Sequence, residues 1–177
     1  MTEKINTYTI SIYTENNIGL LNRISAIFLK RHINIESLTT SQSEIENIFR
    51  FVIVVTISDS KIKRIIKQIE KQIEVIAAFS HTDKETIFLE TALYKVKSKS
   101  LFDEKHIQKI IKDSQANIVT VSPNYFVIEK TGWREETEKL YNSLEPYGLL
   151  QFVRSGRISV SKEPMDISNI LGLNTEK

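Results

Sequence analysis

Two kinds of apolar spacing run through this chain, and they recur twice in the same order. Apolar residues repeat at every second position in a half-buried strand and at intervals of three and four in an amphipathic helix. The order of the two periods therefore restricts the fold more than any single motif does. Tyr8, Ile10 and Ile12 alternate with Thr9 and Ser11, which predicts a strand over 8–12. Leu20, Ile24, Ile27 and Phe28 then take helical spacing, with Asn22, Arg23, Lys30 and Arg31 left for solvent, and predict a helix from about Gly19 to Arg31. Two extended segments follow, 34–41 and 48–57, joined by the polar hairpin loop "SQSEIEN". In the second, Phe49, Phe51, Ile53, Val55 and Ile57 fill one face while Val52 and Val54 lie on the other, as in a central strand whose second face needs a cover. Asp59 or Ser60 is placed to cap a second helix with the stripe Ile62, Ile65, Ile66, Ile69 and Ile73. A strand over 75–81 completes β-α-β-β-α-β, the split βαβ order.

The second pass runs from a strand over 90–97 to a helix capped by Asp103 with the stripe Ile107, Ile110 and Ile111. A hairpin of 117–121 and 125–130 turns around "SPN". A helix over 133–144 carries Trp133, Leu140 and Leu144, and a last strand covers 149–160 around "RSGR". The expectation is an α+β protein with domains at 1–83 and 84–163, joined at "HTDKET", and a flexible tail at 164–177.

Composition narrows the function. With 177 residues, 41% hydrophobic and 26% charged, the chain can bury cores without staples. A net charge of +2, spread without blocks of one sign, argues against a nucleic-acid partner. The absence of cysteine removes disulfides, thiolate metal sites and cysteine nucleophiles, and the cytoplasm is the expected home. The start "MTEKINTYTI" has no signal-peptide core, and the longest apolar run, "FVIVV", is too short to span a bilayer.

Sites of chemistry are few. His32, His81 and His106 form no ligand-spaced pair. Five scattered glycines cannot make a phosphate-cradling loop, which needs several close together. "RSGR" has no histidine beside Ser155, and the pairs Glu135–Glu136 and Asp103–Glu104 point in different directions on a helix. The chain reads as a non-enzyme. What stands out is one helix with specific polar residues at both ends, "ENNIG" before it and "NIESL" after it. Free N–H groups at a helix start suit a carboxylate, Gly19 lets a ligand approach the backbone, and Asn16 offers an amide. The plainer account has Asn16 or Asn17 capping the helix, Gly19 relaxing the turn and Asn34 starting a strand. From these residues alone the plainer account is preferred.

Taken together, "NNIGLLNRISAIFLKRHINIESLTT" resembles the N-terminal signature of the regulatory small subunit of acetohydroxyacid synthase, also called acetolactate synthase: N-x-x-G-x-L-x-R-[IV], a helix, then N-I-E-S-L. Asn16, Gly19, Leu21, Arg23, Ile24 and the run from Asn34 to Leu38 match. "IEKQIEVI", "TVSPNYFVIEKTG" and "VRSGRISVSK" extend the likeness over most of the chain, while Ile18 stands where that family often has a small or polar residue. The resemblance implies two tandem ferredoxin-like (βαββαβ) domains, the first an ACT domain, and a non-catalytic role. It implies a large catalytic subunit as partner, which binds thiamine diphosphate, Mg and FAD, with no cofactor on this chain. It further implies a homodimer through the ACT domain and feedback inhibition by a branched-chain amino acid, usually valine. The effector would lie between two chains. Asn16 and the backbone of Gly19, Leu20 and Leu21 would come from one, Asn34 and Ile35 from the other, with Ile35 and Leu20 lining the aliphatic end. A different implication, an ACT-type amino-acid sensor acting on another enzyme, would need another second domain.

Overall fold

The computed structural model describes residues 4–99 and 105–172, and the chain divides into two compact units, Met1–Phe88 with Ser159–Lys177, and Leu89–Ile158. The first unit begins with β1 (Ile5–Glu15), α1 (Leu20–Leu29), β2 (Ser37–Gln42), β3 (Ile48–Ser58), α2 (Asp59–Ile69) and β4 (Val75–Thr82). Its sheet has the order β2-β3-β1-β4 with antiparallel neighbours throughout, the ferredoxin-like arrangement of the predicted split βαβ pattern. Strand pairing sets Ile10 opposite Ile53 and Ile12 opposite Phe51. Leu20, Ile24, Ile27 and Phe28 of α1 and Ile62, Ile65 and Ile69 of α2 bury against that face.

Where helix caps were expected, the structure differs. The residue before α1 is Gly19, in the left-handed region at φ 83°, with no side-chain cap. Asn17 instead turns its amide to the Glu15 carboxylate (3.3 Å). Asp59 does not cap α2 either, because it accepts hydrogen bonds from the Tyr8 hydroxyl (2.5 Å) and the Asn6 amide (2.9 Å). Those bonds hold its carboxyl below the usual range. Ile73, read as the last member of the α2 stripe, lies past the helix end and is 97% exposed.

The second unit repeats the order. β5 (Thr86–Lys97), α3 (Lys105–Asp113), β6 (Asn117–Val121), β7 (Tyr125–Gly132), α4 (Arg134–Leu144), a 3-10 turn and β8 (Leu149–Arg154) give a sheet of order β6-β7-β5-β8. Its core gathers Ala92, Tyr94, Val96, Ile107, Ile111, Phe126, Ile128, Leu140 and Leu144. Asp103, expected to cap α3, lies outside the described residues. Trp133 precedes α4 and is 59% exposed. The inward position goes to Thr137, whose carbonyl accepts from the Tyr94 hydroxyl (2.6 Å), while the Glu136 carboxylate accepts from Trp133 N–H (2.8 Å). The expected last strand is two strands. β8 stops at Arg154, Ser155 ties itself to Thr91 through both backbone and hydroxyl, and β9 (Ile158–Ser161) resumes as a partner of β5. A short α5 (Ile167–Ile170) follows, started by the Asp166 carboxylate accepting from Asn169 N–H (3.1 Å).

The repeat extends to detail. α1 ends with His32 at φ 53° and an Ile33 N–H that reaches back to Phe28 O (3.1 Å). α3 ends with Gln115 at φ 52° and an Ala116 N–H that reaches back to Ile111 O (3.0 Å). Both are Schellman-type endings, and each is followed by an asparagine, Asn34 or Asn117.

Candidate functional site

The polar residues flanking α1 are held at opposite ends of one sheet. At one end Glu15 closes β1 opposite Ile48, and the chain turns through Asn16 to Gly19 before entering α1. At the other, Glu36 N–H donates to Val54 O (2.9 Å), and Ser37 pairs with Val54, itself paired with Thr9. From Thr9 to Glu15 is six steps of strand, about 20 Å at ~3.3 Å each. Within a single chain the structure therefore brings Asn16, Gly19, Leu20 and Leu21 together and keeps Asn34 and Ile35 away from them.

Around the first cluster the backbone is open. Gly19 has no atom within 4 Å of where a Cβ would stand, so its positive φ is what calls for glycine. Asn16 is exposed. Leu20 N–H is held weakly by Asn17 O (3.3 Å), and the other N–H groups of the first turn have no acceptor within the helix. The side chain of Leu20 is 2% exposed and belongs to the core, which leaves Leu21, 42% exposed, and the fully exposed Ile18 as the apolar groups at this end. Arg23 is committed to an ion pair with Glu74 (2.6 Å), beside the Glu15 N–H bond to Glu74 O (3.0 Å). It ties the helix to the entrance of β4. At the far end Asn34 is exposed in a shallow cleft with Ile5, His32 and Lys61, and Ile35 packs partly on the core.

The edge strand β2 connects the two ends. Its start lies beside Asn34, and its last residue, Gln42, pairs with Phe49, which faces Thr14 near the Gly19 turn. "SLTTSQ" has none of the charges, prolines or bulges that usually blunt a free edge. Ser37 Oγ and Thr39 Oγ1 are buried without a hydrogen-bond partner.

Apolar period does not single out Arg50. It interrupts an apolar run, yet on the helix-free face its guanidinium lies over the Tyr13 ring (5.7 Å) and donates to Ser11 Oγ (3.1 Å) and Ser159 O (2.6 Å). A charged residue in a strand apolar on both faces was the available signal. Among the described residues no group of acidic or histidine side chains is arranged to hold a metal ion, and no helix is long and apolar enough to cross a membrane.

Comparison with known proteins accounts for both units. Residues 10–77 match the AHAS small subunit-like ACT domain, and residues 89–163 match the family described as the small subunit of acetolactate synthase. An acetolactate synthase small subunit from Mycobacterium bovis is 34% identical over 91% of this chain and 95% of its own length. One from Bacillus subtilis is 33% identical over 86% and 89%. The crystal structure of the acetolactate synthase small subunit from Thermotoga maritima superposes with a TM-score of 0.77 at 27% identity, over 90% of this chain and 99% of that one. With relatives above 30% identity matched nearly end to end and the fold shared with a member of known structure, this chain belongs to the acetolactate synthase small subunit family, with an ACT domain as its first unit.

Proposed function

We propose that this chain is the regulatory subunit of an acetolactate synthase, activating a catalytic large subunit and making it sensitive to valine or a related branched-chain amino acid. Thiamine diphosphate, Mg and FAD belong to that large subunit in this reading, and the present chain supplies the effector site. The observation that carries it is the division of the matched motif between opposite ends of a sheet whose edge, β2, is unprotected. Two copies pairing β2 to β2 in antiparallel fashion set the start of one strand beside the end of the other. Asn34 and Ile35 of one copy then approach the turn from Asn16 to Leu21 of its partner, and two equivalent pockets form.

Each pocket has the chemistry an α-amino acid needs. First-turn N–H groups, reached past Gly19, receive the carboxylate, and the Asn34 side-chain oxygen accepts from the ammonium. Ile35 and Leu21 contact the aliphatic side chain, whose burial is worth roughly 1.5–3 kcal/mol. That separates valine from glycine but not readily from leucine or isoleucine. Because both copies contribute, occupancy favours one dimer geometry, and about 1–3 kcal/mol of coupling is the usual allosteric range.

Mixing the purified chain with the large subunit from the same genome, with and without valine, leucine and isoleucine, tests this. Acetolactate formation should rise on mixing and fall with one or more of the three. No rise removes the regulatory reading, and a rise untouched by all three removes the effector alone.

A further inference from the structure

The first sheet has a second concave site, on the face away from α1 and α2. Ser11 and Tyr13 of β1, Arg50 of β3 and Phe79 and His81 of β4 form its floor, and the segment Ser159–Ile167, part of the same unit, forms its wall. The cavity measures about 180 Å³. A cavity of ~150 Å³ is enough to hold a six-carbon ring.

Arg50 dominates its polar end. One guanidinium nitrogen is occupied by Ser11 Oγ and Ser159 O, but the buried Nε–H has no hydrogen-bond partner, and no carboxylate forms an ion pair with Arg50 among the described residues. A half-buried cation with an unused donor is costly unless an acceptor reaches it. Glu44 and Glu163 line the same cavity without pairing with Arg50, and Phe79, Met165 and Ile167 add an apolar wall. One guanidinium, a separate carboxylate and an apolar surface match a zwitterion carrying a hydrocarbon side chain, with its carboxylate on Arg50 and its ammonium on Glu163, which shares a wall with Met165 and Ile167.

We infer that this cavity is a second amino-acid site, within one copy of the chain and independent of the β2 edge, that takes a free aliphatic α-amino acid. Since one wall is the segment Ser159–Ile167, an occupied site holds that segment on the first sheet.

Methyl-13C-methionine labelling gives a reporter in the cavity wall at Met165, whose signal is assigned by its loss in Met165→Leu. The full-length protein is titrated with L-leucine, glycine, 4-methyl-2-oxopentanoate and inorganic phosphate, as wild type and as the variants Asn34→Ala, Arg50→Gln and Glu163→Gln. The Met165 methyl should shift saturably with L-leucine in wild type and equally in Asn34→Ala. In Arg50→Gln the apparent affinity should drop about tenfold or more, as loss of a charge-assisted bond implies. Glu163→Gln leaves the ties of Arg50 intact and should weaken L-leucine while leaving the 2-oxo acid unchanged. Should Arg50→Gln release the segment and displace the Met165 signal without ligand, the Glu163→Gln titration decides. A Met165 methyl that does not respond to L-leucine overturns the proposal. So does a response that survives Arg50→Gln, vanishes in Asn34→Ala, or is matched by phosphate or the 2-oxo acid.

Discussion

Gly19 and Tyr94 show how much a single residue can be required by backbone in one case and by burial in the other. At Gly19 a Cβ meets nothing within 4 Å, so replacement by alanine costs only the left-handed backbone, about 1–2 kcal/mol. Urea melts of Gly19→Ala should show that loss with an unchanged slope. Tyr94 is fully buried, and burial pushes its phenol up to about 12 while the hydroxyl donates to Thr137 O. A pKa raised on folding means the neutral phenol is the stabilised form. Its contribution is complete below pH ~10, the unfolded value, and disappears as pH climbs from there through about 12. Tyr94→Phe should lose about 1 kcal/mol at neutral pH and flatten the alkaline decline, measured by denaturant melts across pH 8–11.

Helix α2 separates residues that periodicity had grouped. Ile65 is fully buried between α2 and the first sheet, so Ile65→Ala should cost about 2–5 kcal/mol. Ile73 keeps the same spacing but stands beyond the helix end in solvent, and Ile73→Ala should stay within about 0.5 kcal/mol in the same melts. Helix starts follow a similar rule. Asn17 and Asp59 have the right chemistry for caps, yet Glu15 and the pair Tyr8 and Asn6 hold their side chains elsewhere. Helix ends were better determined by short-range geometry, since His32 and Gln115 make the same left-handed stop in both units without a glycine.

At the scale of the whole molecule, the proposed effector pocket needs two chains. Asn34→Ala and Asn16→Ala should each abolish valine inhibition when tested separately with the large subunit, while leaving activation in place. Mixing the two variants makes heterodimers with one fully native pocket and one doubly altered pocket. About half of the heterodimer's sites should then respond, and the inhibition curve of the mixture should recover partway. Were both residues to serve one pocket within a chain, the mixture would stay as insensitive as either variant alone.

By itself the sequence determined the element order, the two βαββαβ repeats and most core positions, because apolar period is a local property of backbone geometry. The motif at the two ends of α1 was legible for the same reason, as spacing along one chain. Its division between opposite ends of the sheet was not, since that depends on which strands pair and in which register, and β2, β3 and β1 meet only after folding. Nor was the exposure of Trp133 and Ile73, or the break between β8 and β9, since each follows from where a helix or strand stops in contact with its neighbours. Arg50 is the sharpest case. In the sequence it interrupts an apolar run, and only tertiary structure sets it against Tyr13, Ser11 and the carbonyl of Ser159, more than a hundred residues away in the chain.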